Sequence, residues 1–161
     1  MAQLHFDKLA AQLKQPLAPL YIVSSDEPLL QQDACDQIRS AAKQQGFLDR
    51  EVMHAETGFD WGTLLESAQS MSLFADKKLI ELRLAKGKPQ DKGRALTAYC
   101  EAKPEDNVLL IITNALEKKT TNTKWFKAAS SWGCYLPIFP LDRQNLPRWL
   151  GDKLRAANLE A

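Results

Sequence analysis

The sequence predicts an α/β domain, a mainly parallel sheet with helices on both faces. Three observations predict it. Stretches of helical periodicity alternate with short aliphatic runs along most of the chain, the pattern of strand–helix–strand units. One run, Val108-Leu109-Leu110-Ile111-Ile112, is aliphatic at every position, as a strand covered on both sides requires. A length of 161 residues, 45% hydrophobic and 25% charged, suffices for one compact core, or one domain with the start of another.

The elements follow in order. Phe6, Leu9, Ala10, Leu13 and Leu17 recur at helical spacing, and Pro16 closes that helix. Leu20-Tyr21-Ile22-Val23 is a short run of buried-strand type. Asp26-Glu27-Pro28 supplies a cap, early acids and a first-turn proline for a helix with Leu30, Ala34, Ile38 and Ala41 on one face. Gly46 is its stop. Glu51 to Ala55 reads as a second strand, and Asp60 caps a helix running to about Met71. Lys78 to Leu84 reads as a third strand. A basic loop punctuated by Gly87 and Pro89 leads to a helix ending near Cys100. The aliphatic run at 108–112 takes the sheet centre, followed by a helix over 124–131 and a strand over 134–139. Pro137, Pro140 and Pro147 mark a domain boundary near residue 140. Beyond it, Leu146, Trp149, Leu150, Leu154 and Ala157 form one amphipathic helix with nothing following to pack against it. The expected organisation is therefore a domain over 1–140 and the beginning of a second over 141–161.

Composition narrows the function classes. Lys plus Arg is 21 against 20 Asp plus Glu, a net +1, which excludes a disordered tail or a bulk polycation. No apolar run approaches the roughly 20 residues of a membrane helix. The N-terminus lacks the basic-then-apolar build of a signal peptide. Cys35, Cys100 and Cys134 are odd in number and widely spaced, giving neither a disulfide framework nor a zinc site. A reduced, cytosolic, water-soluble chain is expected. Its charge is uneven: residues 1–60 carry five basic and nine acidic side chains, and residues 61–161 carry sixteen and eleven. The stretch 76–94 holds Lys77, Lys78, Arg83, Lys86, Lys88, Lys92 and Arg94 against three acids. Such a stretch is either a solvated face or a track for a phosphate backbone.

A parallel α/β sheet invites a nucleotide, since ligands sit where strands end and helices begin. The first such turn reads Ser24-Ser25-Asp26-Glu27-Pro28. It has no glycine to bring backbone N–H groups around a phosphate, no lysine, and two carboxylates. Gly87-Lys88 is followed by Pro89, and Leu82 stands where a phosphate loop needs its first glycine. The aliphatic strand ends in Thr113-Asn114, without the acid that would hold magnesium. The two histidines, His5 and His54, and the cysteines lie in no metal-ligand spacing, and no GxSxG elbow occurs. The expectation is a non-enzymatic chain with no catalytic residue, no cofactor and no metal.

One feature stands out. On a helix beginning at Asp60, with Trp61 at zero, Leu64, Leu65 and Ala68 fall within roughly 60°, and Met71 lies about 80° away. Continued further, Leu73 lands near 120° and Phe74 near 220°, both away from this core stripe. Either the helix ends at Met71 and one of the two folds back into the core from a turn, or Met71, Leu73 and Phe74 form an exposed hydrophobic plug. Burying a Leu or Phe in a partner's pocket is worth roughly 1.5–3 kcal/mol, enough for hot spots.

Here the chain resembles a known family. Gln69-Ser70-Met71-Ser72-Leu73-Phe74-Ala75 is similar to the clamp-contacting motif of the bacterial DNA polymerase III delta subunit. Asp26-Glu27-Pro28-Leu29-Leu30, Gln45-Gly46-Phe47, Asp60-Trp61, Asn107 to Ile112, Lys124-Trp125-Phe126 and Leu146-Pro147-Arg148-Trp149 occur in that family's order. The resemblance implies an AAA+-like domain that lacks its ATP site, then the start of a helical lid; the family's C-terminal collar is absent from this chain. It implies that Met71, Leu73 and Phe74 bind the sliding clamp (the beta subunit) and hold its ring open for loading onto primed DNA. Lys77 and Lys78 flank the plug as possible electrostatic contacts to clamp or DNA. Further implied partners are the gamma/tau and delta prime subunits, in a DNA-directed DNA polymerase holoenzyme of the bacterial cytoplasm, at the nucleoid-associated replisome. The alternative is a nucleic-acid-binding α/β module that uses the 76–94 region, Lys118, Lys119, Lys124 and Lys127, with Trp125 and Phe126 stacking on bases.

Overall fold

The computed structural model describes residues 9–55, 59–69, 77–84, 93–102, 107–116 and 118–138, the side chains of 67–69 excepted. The elements are α1 (Leu9–Leu13), β1 (Leu20–Ser24), α2 (Pro28–Gln44), β2 (Phe47–Ala55), α3 (Gly62–Gln69), β3 (Lys77–Leu84), α4 (Arg94–Ala102), β4 (Asn107–Thr113), α5 (Lys118–Thr121), α6 (Lys124–Trp132) and β5 (Cys134–Pro137). The strands form one sheet in the order β2-β3-β4-β1-β5, and every pairing is parallel. The expected fold class is the observed one.

Why these residues form these layers is plain from the strand faces. Tyr21, Val23, Leu79, Val108, Leu110 and Ile112 point to one face, where Leu9 and Leu13 of α1 and Leu30, Ala34 and Ile38 of α2 cover them. Leu20, Ile22, Ile80, Leu82, Leu109 and Ile111 point to the other, covered by Leu64 of α3, Leu96 and Tyr99 of α4, and Trp125, Phe126 and Ala129 of α6. All seven residues of β4 are buried. On α2 the anticipated face of Leu30, Ala34, Ile38 and Ala41 is the buried one. The Tyr21 ring lies in the core, and its hydroxyl donates to Gln12 Oε1 at 2.8 Å while accepting the Ala18 N–H at 3.0 Å. That satisfies a polar tip which burial would otherwise penalise.

Element boundaries differ from expectation at the sheet margins. β2 begins at Phe47, four residues before Glu51, because an edge strand with one solvated face tolerates the polar Asp49 and Arg50. β5 stops at Pro137; it is the opposite edge, where proline's missing N–H costs no ladder bond. α4 continues two residues past Cys100, and the short α5 was not anticipated. The expected domain boundary near residue 140 and the helix over 146–157 lie outside the described residues.

Two glycines have distinct reasons to be glycine. Gly46 ends α2 at φ +96°, with open space where a Cβ would stand. Gly133 has ordinary backbone, but a Cβ there would collide with the Leu20 carbonyl oxygen of β1. Gly46→Asn should therefore change unfolding free energy by less than about 1 kcal/mol, since Asn enters the left-handed region readily. Gly133→Ala should lower it by about 1–3 kcal/mol through forced backbone displacement. Urea unfolding of both variants checks this; equal effects would rule out the collision as the constraint.

Candidate functional site

The turn at the carboxyl end of β1 is where a nucleotide would sit in this architecture. Its backbone groups are bound to its own neighbours. Ser25 Oγ accepts the Glu27 N–H at 2.9 Å, and Glu27 is the N-cap of α2, its Oε1 accepting the Leu29 N–H at 3.1 Å. Pro28, in the first turn, has no N–H to offer. Asp26 Oδ1 accepts the Ala115 N–H beyond β4 at 3.2 Å, and Gln31 Nε2 donates to the Thr113 carbonyl at 2.6 Å. The N–H groups that a phosphate loop would aim at a ligand are here held by Ser25 and Glu27. At the described carboxyl ends of β3 and β4 stand Leu84 and Thr113, neither of them an acid.

The expected plug residues Met71, Leu73 and Phe74 lie outside the described residues; the elements on either side of them are described. Asp60 Oδ1 accepts the Gly62 N–H at 3.0 Å, and its carbonyl accepts that of Thr63 at 3.0 Å, which starts α3. Leu64 is fully buried, while Trp61 and Leu65 pack against the same core. Phe59 meets Trp61 edge to face at 5.0 Å. Three members of the anticipated stripe thus hold α3 to the sheet; the side chain of Ala68 is not among those described. On the far side, β3 opens with Lys77, which is exposed, its Nζ 5.3 Å from the centre of the Phe47 ring.

Lys78 departs from its expected role. It is 2% exposed, and its Nζ donates to Glu51 Oε1 at 3.3 Å. Position 78 faces the sheet interior together with Ile80 and Leu82, so its charge is spent within the fold, and of the expected pair it is Lys77 that is exposed. Trp125 and Phe126 are also inside, at 2% and 0% exposure. They meet each other edge to face, Phe126 meets Tyr135 in the same way, and neither is available for stacking on bases. Lys118, Lys124 and Lys127 are exposed.

The sequence reading missed a charged cluster beneath α2. Glu81 of β3 is fully buried and accepts from Arg39 Nε at 2.9 Å and Nη2 at 2.5 Å, and from Arg50 Nε of β2 on its other oxygen. Arg39 also reaches Asp36 at 2.8 Å. Burial pushes the Glu81 carboxyl up, but the hydrogen bonds and charges of the two guanidiniums outweigh it and hold it below the usual carboxylate range. The one signal in the sequence is an acid in the middle of the apolar run Leu79-Ile80-Glu81-Leu82. Cys35, beside this cluster, is pushed up to about 11 and Cys100 to about 12, chiefly by burial; both are thiols and poor nucleophiles at neutral pH. Among the described residues, no group of three or more His, Cys, Asp or Glu side chains is placed to hold a metal ion. No described helix is long and apolar enough to cross a membrane.

The sheet order, the two helical layers and the turn at β1 define an AAA+-like α/β domain. Its backbone resembles the Bacillus subtilis DNA clamp loader delta protein, with a TM-score of 0.69 at 17% identity over 87% of this chain and 44% of that one. It also resembles a DNA polymerase III gamma subunit-related protein from Thermotoga maritima, with a TM-score of 0.51 at 10% identity over 86% of this chain and 47% of that one; at such identities the likeness concerns fold. The family model for the DNA polymerase III delta subunit matches residues 21–139, and the chain belongs to that family. It is 29% identical to DNA polymerase III subunit delta of Escherichia coli K12, over 99% of this chain and 47% of the relative. Identity to the Haemophilus influenzae subunit delta is 27%, over 96% and 46%. The chain spans about half the length of these curated relatives.

The Glu81 cluster yields a prediction with a sign. A carboxyl held low in the folded state contributes stability that is present above its unfolded pKa, about 4.3, and is lost as pH falls through the lower folded value. Glu81→Gln should cost about 3 kcal/mol at pH 7, the low end for breaking a buried pair, because Arg50 stays half exposed. The loss of parent stability as the pH falls below about 4.3 should be correspondingly smaller in the variant. Urea unfolding across that range checks both.

Proposed function

We propose that this chain is the clamp-binding part of a clamp-loader delta subunit. Met71, Leu73 and Phe74 enter an apolar pocket on a sliding clamp, and the chain then holds one interface of the ring open for loading onto primed DNA. The observation that carries the reading is the run Gln69 to Ala75, with its off-stripe Leu73 and Phe74, set between α3 and β3 in a chain of this family. Support comes from α3, whose Leu64 is sunk in the core, and from the turn at β1, where the Glu27 and Leu29 N–H groups are already bound. On this reading the subunit does its work by binding. ATP acts in the neighbouring gamma/tau subunits, delta prime completes the assembly, and the complex belongs to the bacterial cytoplasm.

The mechanism is a shift of equilibrium. The plug favours an opened ring only by its differential affinity for that form over the closed one. Lys77, exposed at the start of β3, adds steering toward an acidic clamp surface and no catalytic chemistry.

Binding of a sliding clamp measured by surface plasmon resonance tests the proposal. The double change Leu73→Asp, Phe74→Asp should weaken it at least about a hundredfold, from two anchors at roughly 1.5–3 kcal/mol each, with circular dichroism and urea unfolding unchanged. Loss of the fold would make these residues core, and undiminished clamp binding would remove the plug; either overturns the reading. Salt-dependent DNA binding that survives the double change would instead establish the nucleic-acid module. Lys77→Ala should slow clamp association at low salt and leave the dissociation rate unchanged.

A further inference from the structure

Among the described residues three large apolar side chains are exposed, Leu29, Leu48 and Val52. A single exposed leucine needs no explanation; the place of Leu48 does. In the register of β2 on β3, Phe47 stands opposite Lys77 and Asp49 opposite Lys78. Leu48 is therefore the extra residue of a β-bulge on an edge strand, without a partner in the ladder and 62% exposed. Phe47, before it, packs against the core beneath α2 and carries the Lys77 ammonium 5.3 Å from its ring centre. An exposed leucine and an exposed lysine are thus held side by side where β3 begins.

Chain geometry ties this pair to the run Gln69 to Ala75. Lys77 is three residues beyond Phe74, and consecutive Cα atoms are about 3.8 Å apart, so the two Cα atoms are within about 11 Å of each other on any path. One strand spacing of about 4.8 Å and one further residue reach Leu48. Leu48 and Phe74 therefore lie within about 20 Å, inside the breadth of about 32 Å of a standard interface of roughly 800 Å² per partner. A partner of ordinary footprint seated on Phe74 has the breadth to reach Leu48. An added strand is a poorer occupant. Three consecutive charged residues, Asp49, Arg50 and Glu51, follow the bulge, and both features discourage pairing along an edge.

We infer that Leu48 is a further apolar contact on the sliding clamp, made at the rim of the pocket that receives Leu73 and Phe74, with Lys77 beside it facing an acidic group. The inference rests on the clamp-binding reading and extends its surface from α3–β3 onto β2. A rim contact of this kind lengthens the life of the complex and does not replace the central anchors.

Surface plasmon resonance of the 161-residue chain on an immobilised sliding clamp tests it. Leu48→Ala should weaken binding about three- to tenfold, chiefly through faster dissociation, with the urea midpoint unchanged. Leu48→Met, which keeps an apolar side chain of similar volume, should bind within about twofold of the parent. Leu29→Ala removes an equally exposed leucine from the start of α2, at the opposite end of the parallel sheet from Lys77, and should leave binding unchanged. The double change Leu73→Asp, Phe74→Asp, measured alongside, separates the two readings. If it removes binding while Leu48→Ala binds as tightly as the parent, the Leu48 contact is overturned and the plug stands. If it leaves binding undiminished, or the parent chain does not bind, both fall. Equal weakening by Leu29→Ala overturns the contact as well, as does an effect of Leu48→Ala confined to self-association in sedimentation velocity.

Discussion

Strand β4 has no side that faces water. All seven of its residues are buried, and its five aliphatic side chains point alternately into the two cores. At roughly 1.5–3 kcal/mol for each buried side chain, this one strand contributes on the order of 10 kcal/mol of gross burial, comparable to the whole net stability of a domain. That gain requires cover on both faces at once. The layered arrangement follows: α1 and α2 on one side, α3, α4 and α6 on the other, and neighbours β1 and β3 to satisfy the backbone. Parallel pairing follows too, since each strand returns to the same end of the sheet only after a crossing segment.

A parallel sheet gathers its strand-to-helix turns at one edge, and there this chain diverges from a nucleotide-binding scaffold. A phosphate loop leaves its N–H groups open, a state that only a ligand or water satisfies. Here Ser25 and Glu27 supply the acceptors from within the chain, and Gln31 bridges to the Thr113 carbonyl. Architecture and the chemistry of a site are separable.

The sequence disclosed what depends on periodicity and on local backbone chemistry. The apolar face of α2, the cap and first-turn proline at Glu27-Pro28, the left-handed Gly46 and the buried β4 were all legible for that reason. It was silent where the decisive partner is far away in the chain. Lys78 reads as half of a surface lysine pair until β2 brings Glu51 beside it. Glu81 reads as an interruption in an apolar strand until Arg39 and Arg50 close over it from positions 42 and 31 residues away. Trp125-Phe126 reads more readily as core than as a stacking platform, and the packing of α6 on the sheet puts both inside. Arg83 and His54 carry no motif at all; strand register alone makes them neighbours.

Those long-range contacts also bear on how a small apolar segment between α3 and β3 can act on a large partner. Association loses translational and rotational freedom, and any loop ordered on binding adds to that cost. A two- or three-residue anchor has little gross energy to set against it, so its value depends on how much of the ordering is done beforehand. On one side Leu64, with Trp61 and Leu65, fixes α3 to the sheet; on the other Lys78 is locked to Glu51 in the second residue of β3. The buried lysine that cannot steer a partner can still fix the strand from which the segment departs. Pairing at its base, rather than surface charge, is then the contribution of Lys78 to the proposed function.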